Sequence, residues 1–300
     1  MSNDELKEVP EVSIIIPTYN RSEMLCSALG SALAQTYTDF ECIIVNDGST
    51  DDTDLELAKF SDERIRILHQ ENKGVSSARN LAIRESCGKY IALLDSDDEW
   101  LPEKLELQLS FMKAESLDVC QTNETWFRNG KQVKQSKKYR KPSGMFFEQS
   151  LETCLISPSC TIFNRKFWDS VGPFDENMPA CEDYDLWIRS GFKFPVGLLE
   201  DRLTIKHGGR PDQLTNRVAS FDLYRIYSII KLLNSKELGS DELELAKNEL
   251  QRKVGYFLGG CIKRGKVEQA ERVESVVEKV LKGQCVTATD VLAGQKIFRG

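Results

Sequence analysis

The strongest constraint on this chain lies in its first hundred residues, where runs that suit a buried strand alternate with runs that have the spacing of a helix. Residues 12–16 (VSIII) are an apolar, β-branched run stopped by Pro17, and residues 40–45 and 89–94 repeat the pattern. Runs this apolar fit strands covered on both faces, as in a parallel sheet. Between the first two, residues 22–35 place Met24, Leu25, Ala28, Leu29, Ala32 and Leu33 at helical spacing, with Ser22 as a candidate N-cap. Residues 54–60 and 75–86 read as further helices, and Ile65–His69 as an alternating strand. The resulting order, βαβαβαβ, predicts an α/β fold with a mostly parallel central sheet flanked by helices.

After residue 101 the pattern changes. Residues 102–115 read as an amphipathic helix, and Val119–Arg128 and residues 131–134 flank Asn129-Gly130, a hairpin signal. Residues 136–142 are basic and polar, and the basic stretch Lys131, Lys134, Lys137, Lys138, Arg140 and Lys141 fits a solvated hairpin and loop or a clamp on an anionic acceptor or lipid surface. Helices are expected over residues 146–155, Arg165–Val171 and Glu182–Ser190, and strands over residues 159–164 and 198–206. Beyond Pro211 the chain reads as almost wholly helical, with breaks near residues 235–240, 255–265 and 283. The expected organisation is a disordered leader over residues 1–11, an α/β domain over 12–210 and a helical C-terminal region over 211–300.

The chain of 300 residues is long enough for that domain and its appendage. Its net charge of -7 argues against nucleic acid as a partner. An anionic ligand still binds such a chain if a metal ion and local Arg or Lys offset the charge. The 9 cysteines are scattered without a CxxC pair, and several sit in apolar runs, which points to reduced thiols and a cytoplasmic protein. The polar start MSNDELKEVPE lacks a signal-peptide core, and no apolar run reaches membrane-span length, so any membrane work is expected at the inner surface.

Five polar clusters carry candidate chemistry, four of them placed where an apolar strand gives way to a loop or helix. Pro17, Thr18, Tyr19 and Asn20 end the first strand; a Tyr and a Thr there can stack on a base, or the segment is simply a Pro-led turn. Asp47, in NDGSTDDT, can accept the imide N–H of uracil, and the same run can turn and cap the next helix. Asp95, Ser96, Asp97 and Asp98 follow the fourth strand. Carboxylates two apart at such a transition can converge on a hard divalent cation, and packing them this densely without one is costly. Glu182 and Asp183 open a helix, where the dipole favours acids and where one of them can serve as a general base. His207, in KHGGR, stands between a strand and a glycine pair as a candidate ligand to metal or pyrophosphate, or as a surface histidine in a turn.

Taken in order, VSIIIPTYNR, IIVNDGSTDDT, GVSSARNLAI, YIALLDSDDEW, FDENMPACEDYDLWIR and IKHGGRPDQL resemble the family 2 glycosyltransferases of the GT-A fold. The resemblance runs from Val12 to about Leu214 and leaves out the C-terminal helices. It implies a nucleotide-sugar-binding half over residues 12–101 and an acceptor-binding half over 102–210. It also implies that Pro17, Thr18, Tyr19 and Asn20 line the base and ribose pocket and that Asp47 contacts uracil. Arg79 then faces the diphosphate. Asp95 and Ser96 lie at the ribose side of the DxD, and Asp97 is its direct metal ligand. His207 serves the metal or the diphosphate, and Asp183 is the catalytic base.

The function so implied is an inverting transfer from a nucleotide sugar, with UDP favoured, to a saccharide or lipid-linked acceptor hydroxyl, assisted by Mn²⁺ or Mg²⁺. Its setting would be cell-surface polysaccharide or glycoconjugate synthesis. Peripheral membrane contact and self-association are both compatible with the sequence. Three rivals fit less well. A phosphohydrolase of the haloacid dehalogenase type carries its DxD on the first strand, and here it follows the fourth. A nucleotidyltransferase opens with a Gly-rich loop, which PTYNR is not. A non-catalytic sugar-nucleotide-binding protein would differ in failing to hydrolyse a donor with Mn²⁺ present.

Overall fold

The structure, a computed structural model, describes residues 9–210, 213, 218, 220–284 and 286–293. Most of the expected leader, Pro211 and Cys285 lie outside the described residues. Strand β1 (Val12–Thr18) lies between β2 (Phe40–Asn46) and β4 (Tyr90–Leu93), and β3 (Ile65–His69) extends the sheet beyond β2; all three pairings are parallel. Beyond β4 come β8 (Thr161–Asn164), β6 (Val119–Arg128), β9 (Gly197–Gly208) and the short β5 (Asp98–Trp100), with β7 (Lys131–Val133) hairpinned onto β6. This second half is mixed: β8 is antiparallel to both neighbours and β5 to β9, while β6 and β9 run parallel.

Every residue of β1 and β2 is buried, as their apolar runs require. Their side chains alternate between two cores. Ile14, Ile16, Cys42 and Ile44 pack with α1 (Ser22–Leu33) and α4 (Lys104–Ala114). Ile15, Ile43 and Val45 pack with α3 (Val75–Glu85), α6 (Arg165–Val171) and α7 (Glu182–Ser190). Each such side chain contributes about 1.5–3 kcal/mol by leaving water. The chain leaves β1 on one side for β2 and later returns on the other as β4. That reversal opens a crevice at the carboxyl ends of the strands, where open α/β sheets bind ligands.

A third core joins the C-terminal helices α8 (Phe221–Ser235), α9 (Ser240–Lys263) and α10 (Val267–Leu281) to α7 and to α5 (Phe147–Glu152). Val254, Phe257, Cys261, Val273, Val276, Val277 and Val280 are buried in it. The helices therefore buttress α7, the element that carries Glu182 and Asp183.

Four local expectations change. Ser22 is the first helical residue of α1 and not its cap; Asp51 of the neighbouring loop accepts the Ser22 N–H at 3.2 Å. The break expected over 255–265 shrinks to its end, because α9 runs unbroken through Gly255, Gly259 and Gly260. Burial of Val254, Phe257 and Cys261 outweighs a helix penalty of about 1 kcal/mol per glycine. Helix α5 stops at Glu152, and Thr153 is extended. Strand β5 was not foreseen: three residues reading Asp-Glu-Trp carry no strand signal of their own, and pairing with β9 creates the strand. Among the described residues eight cysteines are free, and no helix is long and apolar enough to cross a membrane.

Candidate active site

The loops after β1, β2 and β4 wall a cleft of about 350 Å³. Pro17, Thr18, Tyr19, Asn20, Asp47, Arg79, Asp95, Ser96, Asp97 and His207 all line it, joined by Asp98, Glu182 and Lys206. Of the residues expected from sequence, Asp183 is the one that does not line it.

The loops after β1 and β2 brace each other at one wall. Asn20 adopts a left-handed backbone at φ +50°, which Asn tolerates better than most residues. Its N–H donates to Ser49 Oγ at 2.9 Å, and its Oδ1 accepts the Thr50 N–H at 2.7 Å. Asp47 is buried, and its Oδ1 accepts from Gln70 Nε2 at 2.6 Å and from the Lys73 N–H at 2.9 Å. Its Oδ2 accepts from the Gly74 N–H at 2.8 Å. A carboxylate offers about four acceptor sites, and these three bonds leave one on Oδ2 of this cleft-lining residue. Gly48 makes this turn at φ +77°, where a β-carbon would meet Asn72 N at 2.8 Å.

Asp95, Asp97 and Asp98 each offer a carboxylate oxygen, and those atoms lie within 4.8 Å of one another. An all-oxygen set of this kind suits a hard divalent cation. The crowding shows in Asp98: burial, followed by the charges of Asp97 and Asp95, pushes its carboxyl up to about 7 against the pull of Lys206. Asp95 goes the other way, since the charges of Arg79 and Lys206 overcome its burial and hold it below the usual range. Asp97 accepts from Arg21 Nη1 at 2.6 Å and also from Arg210 Nη2. Ser159 locks the cluster from behind, donating to Asp98 Oδ2 at 2.6 Å and accepting the Asp95 N–H at 3.1 Å.

Arg79 sits at the floor, buried, with Nη2 2.6 Å from Asp95 Oδ1 and Nη1 2.6 Å from Glu182 Oε1. Burial works against its charge, but the two carboxylates outweigh that and raise its affinity for the proton. Glu182 is thereby engaged, and its own burial, more than the neighbouring Asp183, raises its carboxyl. Asp183 is only half-buried; its Oδ1 caps the Tyr184 N–H at 2.7 Å, and its Oδ2 accepts from Cys154 Sγ at 3.3 Å. Cys181, which precedes the pair, holds a left-handed backbone at φ +64°. For a residue that rarely adopts it, that geometry costs about 1–3 kcal/mol. It turns the chain sharply into α7 at the site.

On the far wall His207 Nε2 lies 2.7 Å from Glu99 Oε1, while its ring packs on Phe127, outside the three-carboxylate cluster. Beside it Lys206, which the sequence reading did not single out, donates to Ser157 Oγ at 2.7 Å and stands 3.3 Å from Asp98. Burial opposes its charge, but Asp98, Glu124 and Asp95 raise it well above the ordinary lysine value. Lys206 owes this place to the β5–β9 pairing, which sets it opposite Asp98.

A model of the family described as "Glycosyl transferase family 2" matches residues 13–172. The chain belongs to that family. An uncharacterized glycosyltransferase of Rickettsia bellii is 37% identical over 209 residues, covering 68% of this chain and 30% of the relative. The chain thus spans about a third of the length of that relative. The UDP-Glc:alpha-D-GlcNAc-diphosphoundecaprenol beta-1,3-glucosyltransferase WfgD of Escherichia coli is 34% identical over 178 residues, covering 59% of this chain and 68% of the relative. Among solved structures, S. aureus TarS 1-349 in complex with UDP-GlcNAc superposes with a TM-score of 0.66 at 18% identity, covering 91% of this chain and 92% of TarS. That likeness bears out the GT-A-like fold with its helical C-terminal region.

Proposed function

We propose that this chain is an inverting glycosyltransferase that moves a sugar from a UDP-linked donor to an acceptor hydroxyl with a divalent cation, Mn²⁺ or Mg²⁺. One observation carries the reading: the cleft at the strand-order reversal brings three mutually close carboxylates together with a buried arginine and with Glu182, the first acid of the ED pair of α7. The uridine assignment is supported by the UDP sugars in the names of the Escherichia coli relative and of the TarS complex. In this reading residues 12–101 hold the donor and residues 102–210 present the acceptor.

Pro17, Thr18, Tyr19 and Asn20 would flank the base and ribose, and the open lone pair of Asp47 would accept the uracil imide N–H. Asp95 and Ser96 would sit at the ribose side. Asp97, helped by Asp98, would hold the cation, with His207 at its margin or on the diphosphate. When bound, such an ion offsets the charge on a departing nucleoside diphosphate. Arg79 adds a fixed positive charge that needs no reorganisation as the bond breaks, because Asp95 and Glu182 already orient it. Asp183 would take the acceptor proton while the acceptor oxygen attacks the anomeric carbon from the face opposite the diphosphate. A single displacement of this kind inverts the centre and needs no carboxylate nucleophile. A saccharide or lipid-linked acceptor fits the diphosphoundecaprenol acceptor in the Escherichia coli relative's name, and this chain would meet it at the inner face of a membrane.

The experiment is UDP titration by calorimetry with and without Mn²⁺, in the parent chain and in Asp97→Ala. The metal should tighten UDP binding in the parent by about tenfold or more. It should have no such effect in the variant, whose fold should survive. An equal metal effect in both chains overturns the assignment. Slow donor hydrolysis by the parent with Mn²⁺ separates an enzyme from a binding protein.

A further inference from the structure

Two adjoining clefts lie on the acceptor half and share Arg140, Lys141 and Glu200. The larger, about 590 Å³, is ringed by Lys134, Lys137, Arg140, Lys141 and Arg202. Lys134, Lys137, Arg140 and Arg202 are exposed or nearly so, and none makes an ion pair among the described residues. The lining also holds two acids: Glu200, whose Oε2 accepts from Asn123 Nδ2 of the same lining at 2.8 Å, and Glu152, which faces Arg252 at 3.5 Å, so the cations outnumber them. Lys141 is different in kind. Its side chain is 2% exposed, and its ammonium stands 3.2 Å from Glu124 without a hydrogen bond. The cations come mostly from residues 125–147, which hold seven Lys and Arg and no Asp or Glu in a chain of net charge -7. A stretch so one-sided in an acidic protein selects for an anion.

This basic cleft abuts the proposed reaction centre through one extended segment. Thr153 and Leu155 line the smaller cleft. Cys154, between them, donates to Asp183, and Ser157 accepts from Lys206. Successive Cα atoms are about 3.8 Å apart, so the residues that line the smaller cleft and the residue that contacts Asp183 are immediate neighbours on one segment. We infer that this cleft seats a phosphate or diphosphate group carried by the acceptor, with Arg140 and Arg202 as its principal contacts. The inference rests on the transferase reading and extends it from donor to acceptor. Arginine's planar fork matches phosphate oxygens two at a time. A flat bilayer is the poorer fit, because the cations ring a concavity, and Met145 is the one exposed large apolar side chain of residues 125–147 among those described.

The probe is inorganic pyrophosphate, titrated calorimetrically into the full chain with EDTA present to keep metal out of the aspartate cleft. The parent should bind it, and Arg140→Glu/Arg202→Glu should weaken binding about tenfold or more. Arg140→Gln alone should fall between the two. Both positions are exposed, and thermal melts should confirm that the variants fold. UDP binding with Mn²⁺, measured separately, should be the same in all of them. Its loss from the parent would sink the transferase reading and not the cleft. If pyrophosphate binds parent and double variant alike, the cleft assignment is wrong. It is equally overturned if the double variant keeps pyrophosphate but no longer sediments with phosphatidylglycerol-containing vesicles, since the surface then serves a bilayer.

Discussion

Glu182 and Asp183 are consecutive acids that the fold sends to different tasks. Neighbours on a helix point about 100° apart. Glu182 turns inward to Arg79, whereas Asp183 stays half-buried beside Cys154. If Asp183 is the base, Asp183→Asn should cut turnover by about 10²-fold or more with little change in donor affinity. Glu182→Gln should act differently. It leaves the buried charge of Arg79 short of a counter-ion, and breaking such a pair costs about 3–5 kcal/mol. Stability and donor affinity should therefore fall along with turnover. The comparison is made with the true acceptor at saturating donor, alongside urea melts. A dead Glu182→Gln enzyme of normal stability, next to an Asp183→Asn enzyme near parental turnover, exchanges the roles of the two residues.

At the scale of elements, α4 carries a burden that its sequence hides. Its first residue, Lys104, is fully buried, with its ammonium 4.0 Å from the centre of the Trp100 ring and 2.8 Å from Gln108 Oε1. Burial lowers its amine to about 7 from an ordinary 10.5. Between those values the unfolded chain binds the extra proton and the folded chain does not. Stability should therefore rise with pH across that window, and below about 7 both states are charged and the term is flat. Lys104→Met removes this contribution. The parent-minus-variant stability should climb between pH 7 and 10 with a slope approaching about 1.4 kcal/mol per unit. Urea unfolding at several pH values checks it, and parallel curves for the two chains would rule it out. The same element shows what sequence reading captures. Periodicity found α4, whose Leu105, Leu109 and Met112 are core, but it could not reveal that Lys104 is buried too. Strands β1, β2 and β4 were legible because a run buried on both faces admits little besides apolar residues. Strand β5, and with it the place of Lys206 opposite Asp98, was not, because pairing partners far along the chain decide it. The motifs after those strands were readable as polar clusters at apolar ends. Which oxygens converge, and that Asp98 joins Asp95 and Asp97, depended on the turn between β4 and β5.

For the molecule as a whole, the question is whether the C-terminal helices are an appendage or part of one cooperative body. The apolar cluster of α8, α9 and α10 includes Tyr184 and Ile188 of α7 and Phe147 of α5. Loosening these helices uncovers the back of the element that presents Glu182 and Asp183. The four tryptophans, Trp100, Trp126, Trp168 and Trp187, all precede residue 211, so their fluorescence reports the α/β body alone. Far-UV circular dichroism draws heavily on α8, α9 and α10, which are the longest helices described. Leu250 on α9 is fully buried in the shared cluster. Leu250→Ala should cost about 2–5 kcal/mol. If the two regions form one body, urea transitions by fluorescence and by dichroism coincide in the parent and shift together in the variant. If the variant's dichroism moves to lower urea while its tryptophan transition stays at the parental midpoint, the helices are a separate unit. Their support of α7 would then play no part in holding the site.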